Sequence, residues 1–196
     1  MNPATHDRII QQAIACLARN SNAGLKEIAR AAGVGRATLY RYFRSRADLV
    51  VAIKLSAGDQ LQRVIEPVMA EDLPAREKLV RIITRLVPLG SSLNVSAYFD
   101  YPVKQGDPRV KALYLQHKKR SKQLCLALKK EGAVSWELPV SWLIASMDAL
   151  VFEAWASVER GEIAPKQAPW LVLETFLSGH GTRESREWLY HQKEVF

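Results

Sequence analysis

The sequence predicts an all-α protein: a small three-helix head followed by a larger helical body. Three observations carry that expectation. Apolar residues recur at i, i+3, i+4 and i+7 over most of the 196 residues. No alternating Val/Ile/Thr run bounded by an Asn-Gly or Asp-Gly turn is present. Two short helical patterns meet at Gly33, which is how a helix-turn-helix reads in sequence.

The first helix is expected over Thr5 to Arg19, with Thr5 as its cap and Ile10, Ala13, Ile14 and Leu17 as one apolar stripe. Asn20 to Gly24 reads as a turn. A short helix follows over Leu25 to Ala32, closed by Gly33 as a left-handed C-terminal cap. A third covers Arg36 to Phe43. Ser45 to Asp48 reads Ser-x-x-Asp, the start of a fourth helix that carries Leu49, Ile53, Leu61 and Val64 and ends or kinks near Pro67. The head is therefore placed at residues 1–48, the fourth helix at about 45–66 as its connection, and the body at 49–196.

In the body, a helix is expected over Pro74 to Val87, broken by Pro88, Gly90 and Ser91. A segment from Leu93 to Val103 follows. Asp107-Pro108 is a start signal, a capping Asp before a Pro at the first helical position, for a helix that ends at Gly132. The next runs from Trp136 to Arg160 and stops at Gly161. Another covers Lys166 to Ser178, and Arg183 to Phe196 forms a last amphipathic helix.

The formal net charge is +8. Residues 1–64 carry +6 of it and residues 65–196 carry +2. A basic head points to nucleic acid or an anionic membrane surface. The apolar stretch from Trp142 to Val158 is interrupted by Asp148 and Glu153, so it reads as a buried helix, not a membrane span. The N-terminus has no apolar secretion segment, and the protein is expected in the cytoplasm, off the membrane. Cys16 and Cys125 lie on apolar faces and read as small buried hydrophobes. No Cys/His set has zinc spacing, and His6, His117, His180 and His191 sit in no catalytic motif. No catalytic residue, metal or cofactor is therefore expected, and a small enzyme is the weaker alternative.

The informative stretch is Leu25 to Leu49. Ala29 is small where two helices cross, Gly33 makes the turn and Val34 fills its corner. Leu39 and Phe43 are four apart and lock the third helix inward against Ile28. Its other face then shows Arg36, Ala37, Tyr40 and Arg41, a surface suited to a DNA groove. The order E-I-A-x-x-A-G-V, T-L-Y-x-Y-F and S-x-x-D-L resembles the TetR family of bacterial repressors. Gly24 and Gly35 depart from it, standing where a capping hydroxyl is usual.

The resemblance implies roles by position. Arg36 and Ala37 face base edges. Thr38, Tyr40 and Tyr42 contact phosphates or base edges, Arg46 contacts the backbone, and Arg41 adds a phosphate contact. The partners it implies are double-stranded operator DNA, a second copy of the chain, and a small-molecule effector. An activator or an architectural DNA protein without a ligand is the alternative. The basic run Lys118, Lys119, Arg120 and Lys122 reads as a solvated face.

The helix from Trp136 to Arg160 is apolar nearly all round, more than one chain of this size can cover. A homodimer interface is therefore expected at Ala149, Leu150, Phe152 and Ala156, with Leu173, Phe176 and Leu177 from the following helix. Tyr98, Tyr101, Tyr114, His117, Trp142, Met147, Asp148 and Trp155 have the character of a pocket for an apolar or aromatic effector. Asp148 stands out, because a buried carboxylate needs a partner.

Overall fold

The computed structural model describes residues 2–90 and 106–192. Tyr98 and Tyr101, the expected 93–103 segment and the last four residues lie outside them. The described residues are helical with no strand; a lone antiparallel bridge pairs Val134 with Gly181. They form two compact units: residues 2–60 with 106–113, and residues 61–90 with 114–192.

The first unit opens with α1 (Pro3–Arg19), α2 (Leu25–Ala31) and α3 (Arg36–Tyr42), followed by the N-terminal part of α4 (Arg46–Ala70). Helix α1 starts two residues earlier than Thr5. Asn2 is the cap, its Oδ1 accepting from the Ala4 N–H at 2.9 Å, and Pro3 takes the first helical position. The Asn-Pro pair is a stronger start than the threonine, which lies inside the helix. Ile9, Ile10, Ala13, Ile14 and Leu17 of α1 bury against Ile28, Ala29, Leu39, Phe43, Leu49 and Ile53.

At the end of α2 the chain turns through Gly33 at φ +62°, a conformation that costs a side-chain-bearing residue. The Val34 N–H donates to the Ala29 carbonyl at 3.0 Å and the Gly33 N–H to the Arg30 carbonyl at 3.1 Å. This closes the helix and aims the chain into α3. Ser45 and Asp48 form a reciprocal capping box: the Asp48 N–H donates to Ser45 Oγ and the Ser45 N–H to Asp48 Oδ2, each at 3.1 Å.

Pro67 does not end α4. The helix continues to Ala70. Pro67 and Arg63 are both exposed, so the carbonyl that loses its donor faces water, while Val68 beside them is fully buried and anchors the last turn.

The second unit holds the rest of α4, α5 (Ala75–Leu86), a short 3₁₀ turn (Val87–Leu89), most of α6 (Pro108–Lys130), α7 (Val140–Glu159), α8 (Ala168–His180) and α9 (Arg183–His191). Helix α7 starts four residues later than Trp136. Pro139 sets that start, and the residue before a proline is biased to extended backbone. Helix α7 packs chiefly on α8. The core of this unit includes Leu79, Ile83, Leu128, Leu143, Val151, Trp155, Leu173, Phe176, Leu177 and Leu189.

Candidate nucleic-acid interface

Helix α3 is seven residues long, too short to hold its shape alone. Leu39 and Phe43 fix it by burying fully in the head core. That leaves Arg36, Ala37 and Arg41 exposed, Tyr40 45% exposed, and Thr38 and Tyr42 half-buried. Neither Gly24 nor Gly35 gives its helix a side-chain cap, so the first N–H groups of α2 and α3 have no side-chain acceptor there.

A groove of about 650 Å³ runs beside α3, lined by Asn2, Thr5, Arg8, Gly33, Val34, Gly35, Thr38, Arg41 and Tyr42. Two guanidinium groups, two threonine hydroxyls and glycine backbone line one concavity, a chemistry suited to a phosphate. The sequence reading missed Asn2, Thr5 and Arg8. The signal was present for Arg8, which sits beside the inward Ile9 and Ile10 and so points away from the core. That the start of α1 comes alongside α3 is a matter of tertiary packing.

Tyr42 and Arg46 each hold the head together. The Tyr42 hydroxyl accepts from the Asn2 N–H at 3.2 Å and donates to the Asn2 carbonyl at 3.3 Å. The His6 ring lies 6.2 Å from that of Tyr42 and 5.3 Å from Phe43. Arg46 is exposed and donates to the Ser21 carbonyl at 2.6 Å, tying the start of α4 to the α1–α2 turn.

In the second unit, Lys118 Nζ donates to Asp148 Oδ2 at 3.2 Å, and His117 Nε2 lies 3.8 Å from Asp148 Oδ1. Tyr114 lies under the Lys118 ammonium, at 5.7 Å, and Met147 is half-buried. Burial alone would raise the Asp148 carboxyl. His117 and Lys118, by hydrogen bonding and charge, together hold it below the usual carboxylate range. Burial, and next the Asp148 charge, push the Cys125 thiol up to about 11. Of the basic run, Lys118 is engaged here and Arg120 pairs with Glu66, while Lys119 and Lys122 are exposed.

Two expected pocket residues are placed elsewhere. Trp142 is 56% exposed on the outer face of α7. Trp155 is core: its Nε1 donates to the Val87 carbonyl at 3.0 Å, and its ring packs so closely on Gly90 that a Cβ there would lie 2.3 Å away. The residues expected at a dimer face divide between surface and core. Helix α7 is not buried on every side, since Trp142, Ala145, Ala149 and Phe152 are exposed and Leu150 and Ala156 half-buried. Leu173, Phe176 and Leu177, by contrast, fill the core of their own chain at 0%, 1% and 2% exposure. Helix α8 packs chiefly on α7 and also on α5 and α9, and its exposed residues include Leu171 and Thr175. Among the described residues no helix is long and apolar enough to cross a membrane, and no three His, Cys, Asp or Glu gather as metal ligands.

Comparison with known proteins agrees with this geometry. Residues 9–53, which span most of α1 through the start of α4, match the family of bacterial regulatory proteins, tetR family. The chain is 32% identical over 110 residues to the HTH-type transcriptional repressor LfrR of Mycolicibacterium smegmatis, covering 56% of this chain and 57% of that protein. It is 38% identical over 96 residues to an uncharacterised HTH-type transcriptional regulator of Mycobacterium tuberculosis, covering 47% and 48%. The chain thus spans about half the length of the curated relatives it matches. Among solved structures, LfrR in complex with proflavine superposes with a TM-score of 0.72 at 26% identity, over 91% of this chain and 97% of that one. FadR of Bacillus subtilis in complex with stearoyl-CoA shares the fold, with a TM-score of 0.67 at 20% identity over 88% and 97%. A locked, outward-facing α3, the motif that packs it and these likenesses agree: residues 9–53 are similar to the tetR family of bacterial regulatory proteins, and the chain shares the fold of LfrR.

Proposed function

We propose that the protein is a cytoplasmic, homodimeric regulator that binds operator DNA through α3 and represses transcription until a small-molecule effector releases it. The observation that carries this reading is the division of α3 into a buried Leu39/Phe43 edge and an exposed Arg36, Ala37, Tyr40 and Arg41 edge. A helix held rigidly with its N-terminal side chains free is what a major groove accepts. In this reading Arg36 meets base edges, Ala37 lets the helix approach closely, and Thr38, Tyr40, Arg41, Tyr42 and Arg46 meet phosphates or the groove wall. The groove that Arg8 lines adds a phosphate contact.

The exposed apolar face of α7 supports the dimer, since Trp142 and Phe152 at a monomer surface are costly to hydrate. LfrR, solved with proflavine, supports the effector half of the reading. An effector releases DNA only by binding the DNA-free state more tightly than the DNA-bound state. Helix α4 contributes residues to both units and is the element through which that difference can pass.

The test is selection of duplexes from a random pool on the purified protein, followed by titration of the selected site against a scrambled one. The expected result is enrichment of a two-fold symmetric site, with preference at one base pair per half-site relaxed in Arg36→Ala. Recovery of no preferred sequence would refute the reading.

A further inference from the structure

The basic run of α6 divides in two. Lys118 and Arg120 turn to carboxylates of their own chain, those of Asp148 and Glu66. Lys119 and Lys122 are exposed, and among the described residues their ammonium groups have no partner. Leu115 and Leu126 share that face, 54% and 46% exposed. At about 100° per residue the four side chains fall within an arc of about 60°, in a stripe roughly 16 Å long. One exposed leucine is ordinary at a protein surface. Here two of them close the ends of a straight stripe whose middle holds two unspent cations.

Spacing and charge together select what can cover it. Positions 115, 119, 122 and 126 follow the four-three-four spacing with which one helix seats on another. A second copy of the stripe would set lysine against lysine in the middle. A phosphate backbone would use the lysines and gain nothing from the leucines. A lipid surface takes an uninterrupted apolar face with lysines on its flanks, and here the lysines interrupt the leucines. A helix with apolar residues at its outer two seam positions and carboxylates at its inner two matches all four side chains. The spacing reads the same from either end, so such a helix fits in either direction.

We propose that the outer face of α6, from Leu115 to Leu126, docks an acidic amphipathic helix of another protein. The leucines supply the apolar contact, and Lys119 and Lys122 select the charge of the partner. The surface belongs to the second unit and uses no residue of α3 or of the proposed dimer face.

The test is fluorescence anisotropy of two labelled helical peptides, each of about 20 residues, titrated with the full chain. One carries Leu, Glu, Glu and Leu at the four seam positions, and the other carries Leu, Lys, Lys and Leu. The acidic peptide is expected to bind about tenfold tighter, and its affinity to fall as salt rises. A double variant, Lys119→Glu with Lys122→Glu, should invert the preference, because two exposed attractions become two repulsions. Leu115→Ser with Leu126→Ser should weaken the acidic peptide and keep the preference for it. All four positions are exposed, so circular dichroism should show both double variants folded. Equal binding of the two peptides, binding of neither, or a preference that charge reversal does not invert would overturn the proposal. Phosphatidylserine vesicles and a scrambled DNA duplex are titrated in parallel. Binding of either that depends on Lys119 and Lys122 and exceeds that of the acidic peptide makes lipid or nucleic acid the occupant and overturns it as well.

Discussion

Tyr42 has a role in the fold that is separate from the one proposed for it at DNA. Its hydroxyl exchanges two hydrogen bonds with the Asn2 backbone and so holds the start of α1 against α3. Tyr42→Phe loses both bonds without losing charge. Operator and random duplex should weaken by similar factors, with little change in the slope of affinity against salt. Arg8→Ala or Arg41→Ala removes a cation from the groove and should reduce that slope by about one unit per site. Arg36→Ala should instead cost about 1–3 kcal/mol of discrimination at one base pair per half-site. Titrations at several salt concentrations separate the three outcomes, and a Tyr42→Phe slope that falls as far as that of Arg8→Ala contradicts the assignment.

Asp148 makes a pH prediction at the same scale. Its folded carboxyl is held below the unfolded value, so its stabilisation is complete above about pH 4, the ordinary aspartate range. It is lost as pH falls through the lower folded value. The melting-temperature advantage of the native chain over Asp148→Asn should be constant at neutral pH and shrink below about pH 4. An advantage that grows on acidification contradicts the pairing with His117 and Lys118.

At the scale of elements, α5 depends on a cap from far along the chain. Pro74 offers no side-chain oxygen, and the carboxylate of Glu131 accepts the Ala75 N–H at 2.7 and 2.8 Å and the Arg76 N–H at 3.4 Å. The negative charge also sits at the positive end of the helix. Glu131→Ala should lower the unfolding free energy by about 1–2 kcal/mol, as lost caps do, and Glu131→Gln by less. Urea denaturation measures both, and an unchanged midpoint in Glu131→Ala would show the cap to be idle. The local caps at Asn2, Ser45 and Thr182 lie beside the helices they serve, and the Ser45 box was legible for that reason. The Glu131 cap was not, because 56 residues separate donor and acceptor.

At the scale of the whole molecule, Phe152 and Phe176 divide the roles that sequence alone gave to both. Phe152 is 42% exposed and Phe176 is core. Phe152→Glu should yield a folded monomer in sedimentation velocity with an unchanged helical circular dichroism. Phe176→Glu should lose the fold itself, since emptying a buried Phe site costs about 3–5 kcal/mol before the charge is counted. A Phe152→Glu chain that remains a dimer would place the interface elsewhere.

The sequence by itself determined the all-helical class, the order of the helices, the Gly33 turn and the inward Leu39/Phe43 edge. Each of these is set by periodicity or by backbone preference within a few residues, where the chain's own geometry fixes which side chains share a face. Only the tertiary structure decided which apolar face of α7 is covered, that Leu173, Phe176 and Leu177 turn inward, that Trp155 spends its N–H on Val87, and that Arg8 comes beside α3. Hydrophobicity says that a side chain prefers to leave water. It carries no information about which of several equally apolar surfaces will cover it, and that choice is made by packing between segments distant in the chain.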